Sequence, residues 1–433
     1  MSDLVIQPSR GLHGELTLPG DKSISHRSVM FAAIADGATD ISGFLAGEDT
    51  MNTAKAMQAM GVVVDGLGTD RLLVRGRGLH GLSEPAGVLD LGNSGTGMRL
   101  IAGLLAGQNF FSILSGDQYL RKRPMARVVE PLRRMGAQID GRSGGQLAPL
   151  SIRGGGGRIR AIEYASPIAS AQVKSALLLA GLYADGETSV VEPSKSRDHT
   201  ERLLRFFGVE VREEGNRVTV RGGQRLRAGG PLMIPSDLSS AAFFLVAASI
   251  VPGSDLLIRN VGVNPTRTGV IDVLLSMGAD ISLGNRREQA GEPVADIRVR
   301  YKKLRAVQVS GGVIPRAIDE IPVLSVAAAF AEGTTIIRDA AELRVKESDR
   351  IASMAAELRK LGVAVTELPD GMEVAGRGAL TGAACESHGD HRIAMSMAVA
   401  GLAAVGETIV RDTEWIETSF PGFERLLKLA AYS

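Results

Sequence analysis

Cysteine is nearly missing from this chain: Cys385 is the only one in 433 residues. A single thiol closes no intrachain disulfide, which suits a reducing compartment. Aromatic side chains are scarce, at 4% against 44% hydrophobic residues in all, so any core must be built from aliphatic residues and Ala. Neither sign of charge is in excess, with 49 Lys and Arg against 48 Asp and Glu and a formal net charge of +1. That balance offers nucleic acid or an anionic membrane nothing global to hold, and any basic site has to be local. Long apolar runs are absent too. The most apolar stretch, residues 241–251, falls short of the ~20 residues a membrane helix needs. Over residues 1–10 no apolar run follows a basic start, so no signal peptide is expected. The expectation is a soluble, cytoplasmic protein with neither nucleic acid nor membrane as partner.

What the chain has in plenty is glycine, 53 residues, and a repeat punctuated by it. An Ala-rich apolar segment running up to a Gly recurs six times. The copies are SHRSVMFAAIADG to Gly37, SGTGMRLIAGLLAG to Gly107, SAQVKSALLLAGLYADG to Gly186, SSAAFFLVAASIVPG to Gly253, PVLSVAAAFAEG to Gly333 and DHRIAMSMAVAGLAAVG to Gly406. The pattern beyond the Gly recurs as well. After Gly333 come TTIIRD as a strand, the polar helix start RVKESDR, a helix reaching LRKLG with Gly362 as its C-cap, and the strands VAVTEL and MEVAG. After Gly186 the same order reads ETSVVEP, SKSRDHT, ERLLRFFG, VEVREE and RVTVRG. One unit is therefore helix, strand, helix, strand, strand, which indicates α/β architecture.

The first helix of each unit is apolar nearly all round and belongs inside its domain. Six units predict two pseudo-threefold domains of three units each. One long solenoid is the alternative, but it would want polar capping repeats and shorter units. Pro19 and Pro235 mark the linkers, giving one discontinuous domain of residues 1–19 and 236–433 and a second of residues 20–235.

The polar residues that differ from unit to unit lie at helix starts, where unpaired N–H groups and the helix dipole favour anions. Gly20, Asp21, Lys22, Ser23, Ile24, Ser25, His26 and Arg27 place cations and hydroxyls before the first helix. The nucleotide P-loop spacing is absent, and a Ser-rich cap with solvated charges explains the segment equally well. Residues 91–97, LGNSGTG, form a Gly-rich turn that lets backbone N–H groups approach an oxyanion, although many turns look like this. Arg121, Lys122 and Arg123 are an anion site or a solvated basic turn. Ser170 with Gln172, and residues 194–199 with Arg197, add hydroxyls and a guanidinium to further helix starts; read alone, each is more often a cap. Asp319 and Glu320 precede an apolar helix, where an acidic pair commonly compensates the dipole. Residues 344–350, RVKESDR, are denser: Arg can clamp a carboxylate or phosphate bidentately, and Glu beside Lys can move protons. His388, Asp390 and His391 could be read as metal ligands, on thin support.

Jointly these segments resemble the 5-enolpyruvylshikimate-3-phosphate synthase family. The resemblance spans essentially the whole chain and rests on PGDKSISHR (residues 19–27), LGNSGTGMR (91–99), KRPM (122–125), SAQVKSALLLAGL (170–182), RVKESDR (344–350), DHRIAMS (390–396) and TSFPGF (418–423). It implies two domains, each of three βαβαββ copies, closing on an active site in the cleft between them. It implies transfer of the enolpyruvyl group of phosphoenolpyruvate to the 5-hydroxyl of shikimate 3-phosphate through a tetrahedral intermediate, with release of phosphate, in the shikimate route to chorismate and the aromatic amino acids. No metal and no cofactor are implied, and a monomer is expected.

Carried over residue by residue, Lys22, Arg123, Lys346, Arg350 and Arg392 would hold phosphoenolpyruvate, with Asn93, Gly95, Thr96 and Gln172 beside it. Lys22, Ser23, Arg27, Ser170, Gln172, Arg197, Asp319 and Lys346 would hold shikimate 3-phosphate. Lys22, Asp319, Glu347 and His391 are the acid/base candidates. Arg99, Lys174, Lys195 and Arg344 lie close by with no contact assigned. Two positions depart from parts of the family. Thr418 stands where some members have Lys, and Gly95 stands where certain inhibitor-tolerant members have Ala, so glyphosate is expected to fit. A UDP-aminosugar transferase of the same fold is disfavoured, because its loop Cys is absent near Arg121. A non-catalytic binder of phosphorylated metabolites is disfavoured by the retained Asp319, Glu347 and His391.

Overall fold

A helix without a polar face is stable only where other elements cover it, and the computed structural model, which describes residues 3–155 and 159–432, buries all six apolar helices. They are Lys22–Ala33, Gly95–Ala106, Ala171–Gly181, Leu238–Ile250, Ile321–Phe330 and His391–Ala403. Leu238–Ile250 is buried at every residue, and Ile321–Phe330 at all but its last. The chain forms two compact units. The Asp319 unit comprises Met1–Pro19, Pro235–Glu288 and Pro293–Ser433; the Lys22 unit comprises Gly20–Ile234 together with Gln289–Glu292. Each has its own hydrophobic core.

The Lys22 unit holds three copies of one strand pattern, and the Asp319 unit two full copies and a shorter third. In the Lys22 unit, Glu163–Ala165 pairs in parallel with Glu187–Val191, and the helix Ala171–Gly181 makes the crossover that parallel neighbours require. A second helix, His199–Phe206, leads to the hairpin Val211–Glu214 and Arg217–Arg221, whose second strand pairs antiparallel with Glu187–Val191. The result is βαβαββ. The copy around Lys22–Ala33 takes its first strand from far along the chain: Leu232–Met233 pairs in parallel with Ala38–Ser42. The Asp319 unit repeats this device, with His13–Thr17 parallel to Asp255–Gly262. Its last copy has three strands, Ala384–Glu386, Thr408–Arg411 and Leu4–Ile6.

The recurring glycines do not end the helices in one way. Gly37, Gly186, Gly253, Gly333 and Gly406 all have positive φ and lie beyond the helix, in the turn towards the next strand. Gly107 instead caps its helix at φ −83°. A Cβ there would meet the Tyr183 ring at 2.2 Å, so close packing, not backbone handedness, requires that glycine. Gly362, at φ +88°, is the left-handed residue just beyond the helix Arg350–Lys360. Cys385 is buried, and that burial pushes its thiol up to about 12. Among the described residues no helix is long and apolar enough to cross a membrane.

Candidate functional site

In the Lys22 unit the candidate residues lie mostly at or just before helix starts. Asp21, not a serine, caps the first helix, accepting from the Ile24 N–H at 2.9 Å. Lys22 pairs with Asp49, at the start of Glu48–Ala59. Arg27 is buried. Its Nε donates to Thr200 Oγ1 at 2.7 Å, one Nη to Ser175 Oγ at 2.8 Å and the other to the Ser23 carbonyl at 2.9 Å. Burial pulls its guanidinium down to about 10 against the opposing charges of Glu201 and Asp21, and nearby Arg197 adds to the drop.

Ser94 caps the second helix, accepting from the Gly97 N–H at 3.0 Å. The loop before it is held from both sides. Asn93 Nδ2 donates to Asp117 Oδ2 at 2.8 Å, and Arg123 Nη1 donates to the Asn93 carbonyl at 3.3 Å. Thr96 Oγ1 accepts from Gln172 Nε2 at 2.9 Å, and Gln172 Oε1 accepts from Arg99 Nη1 at 2.7 Å. Arg99 also donates to the Pro124 carbonyl at 2.9 Å. One buried guanidinium thus joins the Gly-rich helix, the Gln172 helix and the loop bearing Arg123. Ser170 caps the third helix. Arg121 and Lys122 are exposed, so of that basic triplet only Arg123 reaches the loop.

His26 sits inside this unit, with Nδ1 2.8 Å from Thr53 Oγ1 and Nε2 3.4 Å from Ser94 Oγ. Burial first, then the charges of Lys22 and Arg27, hold its pKa well below the ordinary 6.5. The unfolded chain therefore binds a proton below about pH 6.5 that the folded chain refuses. His26 contributes stability above that pH and loses it as the pH falls. Between pH 7 and 5.5, the stability advantage of wild type over His26→Gln should shrink by about 1 kcal/mol, read from urea unfolding. A constant difference across that range would contradict a neutral buried imidazole.

In the Asp319 unit the charges are denser. Arg350, 1% exposed, spans three carboxylates. Its Nη2 lies 2.6 Å from Glu347 Oε2, its Nε 2.8 Å from Asp390 Oδ2 and its Nη1 3.3 Å from Asp319 Oδ1. Burial disfavours its charge, but Asp390, Glu347 and Asp319 outweigh burial and raise its pKa. Asp390 shows the converse: burial would lift its pKa, yet Arg350 holds it below the usual carboxylate value. Asp390 also caps His391–Ala403 through the Arg392 N–H at 2.9 Å. Lys346 Nζ is 3.5 Å from Asp319, and Arg392 Nη1 donates to the Asp319 carbonyl at 2.8 Å. Glu320 is buried, bonded to Ser239 and 3.7 Å from Arg392. Lys346, Arg350 and Arg392 thus meet four carboxylates, those of Asp319, Glu320, Glu347 and Asp390.

Other segments separate. His388 bonds Glu357 at 2.7 Å while Asp390 bonds Arg350, so their side chains turn to different partners. Lys195 pairs with Glu213 at 2.7 Å and Arg344 with Asp349 at 2.7 Å. Thr418 donates to the Trp415 carbonyl at 2.7 Å. Asp49, Glu320, Asp390 and Arg99 were not among the site residues read from sequence. Glu320 and Asp390 carried a signal, each as the acidic residue directly before a helix, and Arg99 as a cation beside the Gly-rich turn; Asp49 was passed over.

A family model described as EPSP synthase (3-phosphoshikimate 1-carboxyvinyltransferase) matches residues 6–427. The 3-phosphoshikimate 1-carboxyvinyltransferase of Citrifermentans bemidjiense is 61% identical over 428 residues, covering 99% of both chains. That of Geobacter metallireducens is 58% identical over 431 residues, covering 100% of both. Among solved structures, EPSP synthase from Acinetobacter baumannii superposes with a TM-score of 0.90 at 48% identity, covering 100% of this chain and 98% of that one.

Proposed function

We infer that this chain, which belongs to the EPSP synthase family, transfers the enolpyruvyl group of phosphoenolpyruvate to the 5-hydroxyl of shikimate 3-phosphate. The reaction passes through a tetrahedral intermediate, releases phosphate and serves chorismate and aromatic amino-acid biosynthesis. The observation that carries the reading is the carboxylate cluster on Arg350, with Lys346 and Arg392 beside it. Addition must take a proton from the 5-hydroxyl and give one to the methylene carbon of phosphoenolpyruvate. Elimination then takes a proton from the methyl carbon as phosphate leaves. Such steps need ionisable groups in distinct electrostatic settings. Asp319, Glu347 and His391 take these roles with Lys22. Lys346, Arg350 and Arg392 meet phosphoenolpyruvate, and Arg350 also holds the carboxylates in place.

The Lys22 unit carries further cations. Lys22, Arg27, Arg123 and Arg197 answer the phosphates and carboxylates of the two substrates, and the N-capped helix starts at Ser94 and Ser170 add N–H donors. Ser23, Ser170 and Gln172 select the acceptor; Asn93, Gly95 and Thr96 lie with the donor. The enzyme works as a cytoplasmic monomer on small anions, a setting that the single cysteine suits.

Gly95 offers a graded test. A Cβ there would stand 2.9 Å from Arg123 Cζ and 3.0 Å from Arg99 Nη1. Arg123 is half-buried and its far end is flexible, so it would swing away from the Asn93 carbonyl. Gly95→Ala should raise KM for phosphoenolpyruvate about three- to tenfold and weaken glyphosate inhibition, with the fold retained. Unchanged steady-state constants would detach Gly95 from the donor site. The whole reading is tested by phosphate release, in EDTA, with phosphoenolpyruvate and shikimate 3-phosphate added separately and together. Release only with both is expected. Folded protein that releases none would refute it.

A further inference from the structure

We propose that Glu192 is a positioning residue for the phosphorylated acceptor, one buried carboxylate that ties the Ser170 helix start to the segment carrying Ser196 and Arg197. The inference rests on the reading above, in which Ser170 and Arg197 hold shikimate 3-phosphate.

Glu192 comes directly after the strand Glu187–Val191 and is buried. Its Oε1 accepts the N–H of Ser170 at 2.9 Å. Its Oε2 accepts both the N–H and the hydroxyl of Ser196, at 3.3 and 2.9 Å. Both ligand-bearing segments are therefore bound to the same group. Ser170 spends its own hydroxyl on capping the helix, accepting from the Val173 N–H at 3.4 Å, so its backbone has to be steadied from outside. Lys174 neutralises the anchor from within that helix. Its side chain is wholly buried and its Nζ lies 2.9 Å from Glu192 and 2.7 Å from Glu201. Thr200, next to Glu201, receives the Arg27 bond, so the cluster reaches a third candidate ligand.

The energetics point away from a role in stability alone. Removing each of three ions from water costs several kcal/mol, and well-packed apolar residues in place of a buried ion pair are often no worse. An apolar replacement could not accept three donors from two separate segments. Pro193 and Lys195, on the stretch that joins Glu192 to Arg197, are exposed. Without the anchor that stretch keeps its conformational freedom, and ordering it falls to substrate binding.

Glu192→Gln isolates the role. The Lys174–Glu201 pair survives, so no net charge is buried. The amide has only one acceptor atom, and its NH2 must face either the Ser170 N–H or the Ser196 donors. KM for shikimate 3-phosphate should rise about tenfold, with kcat and KM for phosphoenolpyruvate within about threefold. Glu192→Asp keeps the charge against Lys174 but is one methylene short of spanning both segments. The same split is expected there, smaller in size, and this variant decides alone if the glutamine chain does not fold. Constants within twofold of wild type, or a parallel change in both KM values and kcat, would overturn the positioning role. Wild type assayed alongside separates the two levels. An inert wild type refutes the transferase reading, whereas an active wild type with unsplit variants refutes only the part given to Glu192.

Discussion

Arg350→Met should lower the stability of the folded chain by about 3–5 kcal/mol at pH 7, measured by urea unfolding. Arg350 is 1% exposed and has carboxylates at 2.6, 2.8 and 3.3 Å. Methionine fills much of the volume but leaves Asp319, Glu347 and Asp390 without their shared cation. Lys346, 3.5 Å from Asp319, answers that carboxylate in part. The sign of the pH dependence sharpens the expectation. In wild type Arg350 holds the Asp390 pKa down, so Asp390 contributes stability above the unfolded value, lost only as the pH falls through the folded one. In the variant burial acts without that charge, the carboxylate pKa values rise, and the folded chain binds protons more readily than the unfolded one. Its stability should then recover as the pH falls from 7 to 5. A loss under 1 kcal/mol, or a gap that widens over that range, would show that the carboxylates do not depend on Arg350.

Glu347→Gln should reduce turnover by roughly 10²-fold or more while leaving the fold and both KM values nearly unchanged. The substitution keeps size and shape, and the amide oxygen can still accept from Arg350 Nη2, now 2.6 Å from the carboxylate. Arg350 also retains Asp390 and Asp319. What disappears is a group able to take and return a proton, so the loss belongs in kcat and should remove one limb of the pH–rate profile. Turnover within threefold of wild type would exclude Glu347 from proton transfer and leave Asp319 or His391 to carry it. The two substitutions separate the tasks of one cluster, because Arg350→Met is read in stability and Glu347→Gln in chemistry.

The six apolar helices, the strands after Gly186 and Gly333 and the Gly362 terminus were legible in the sequence, since each depends on neighbours a few residues away. Helical burial on every side shows as a mostly apolar run, a strand as a short β-branched run, and a left-handed terminus as a glycine. The positions of Lys22, Ser94, Ser170 and Arg392 at helix starts, and their likeness to one family, were legible for the same reason, whereas Lys346, expected at a helix start, follows the short helical turn Ala341–Val345. Tertiary structure alone decided which charge meets which. Lys22 finds Asp49, Arg350 gathers Asp319 and Asp390 from 31 and 40 residues away, and Arg99 reaches Gln172 across 73. The Leu232–Met233 strand completes a sheet begun at Ala38–Ser42. Even Gly107 owes its identity to Tyr183, a residue of the next repeat. Periodicity and capping are short-range, so composition records them. Ion pairing and close packing depend on distances in space that a linear chain does not contain until its parallel crossovers have brought the segments together.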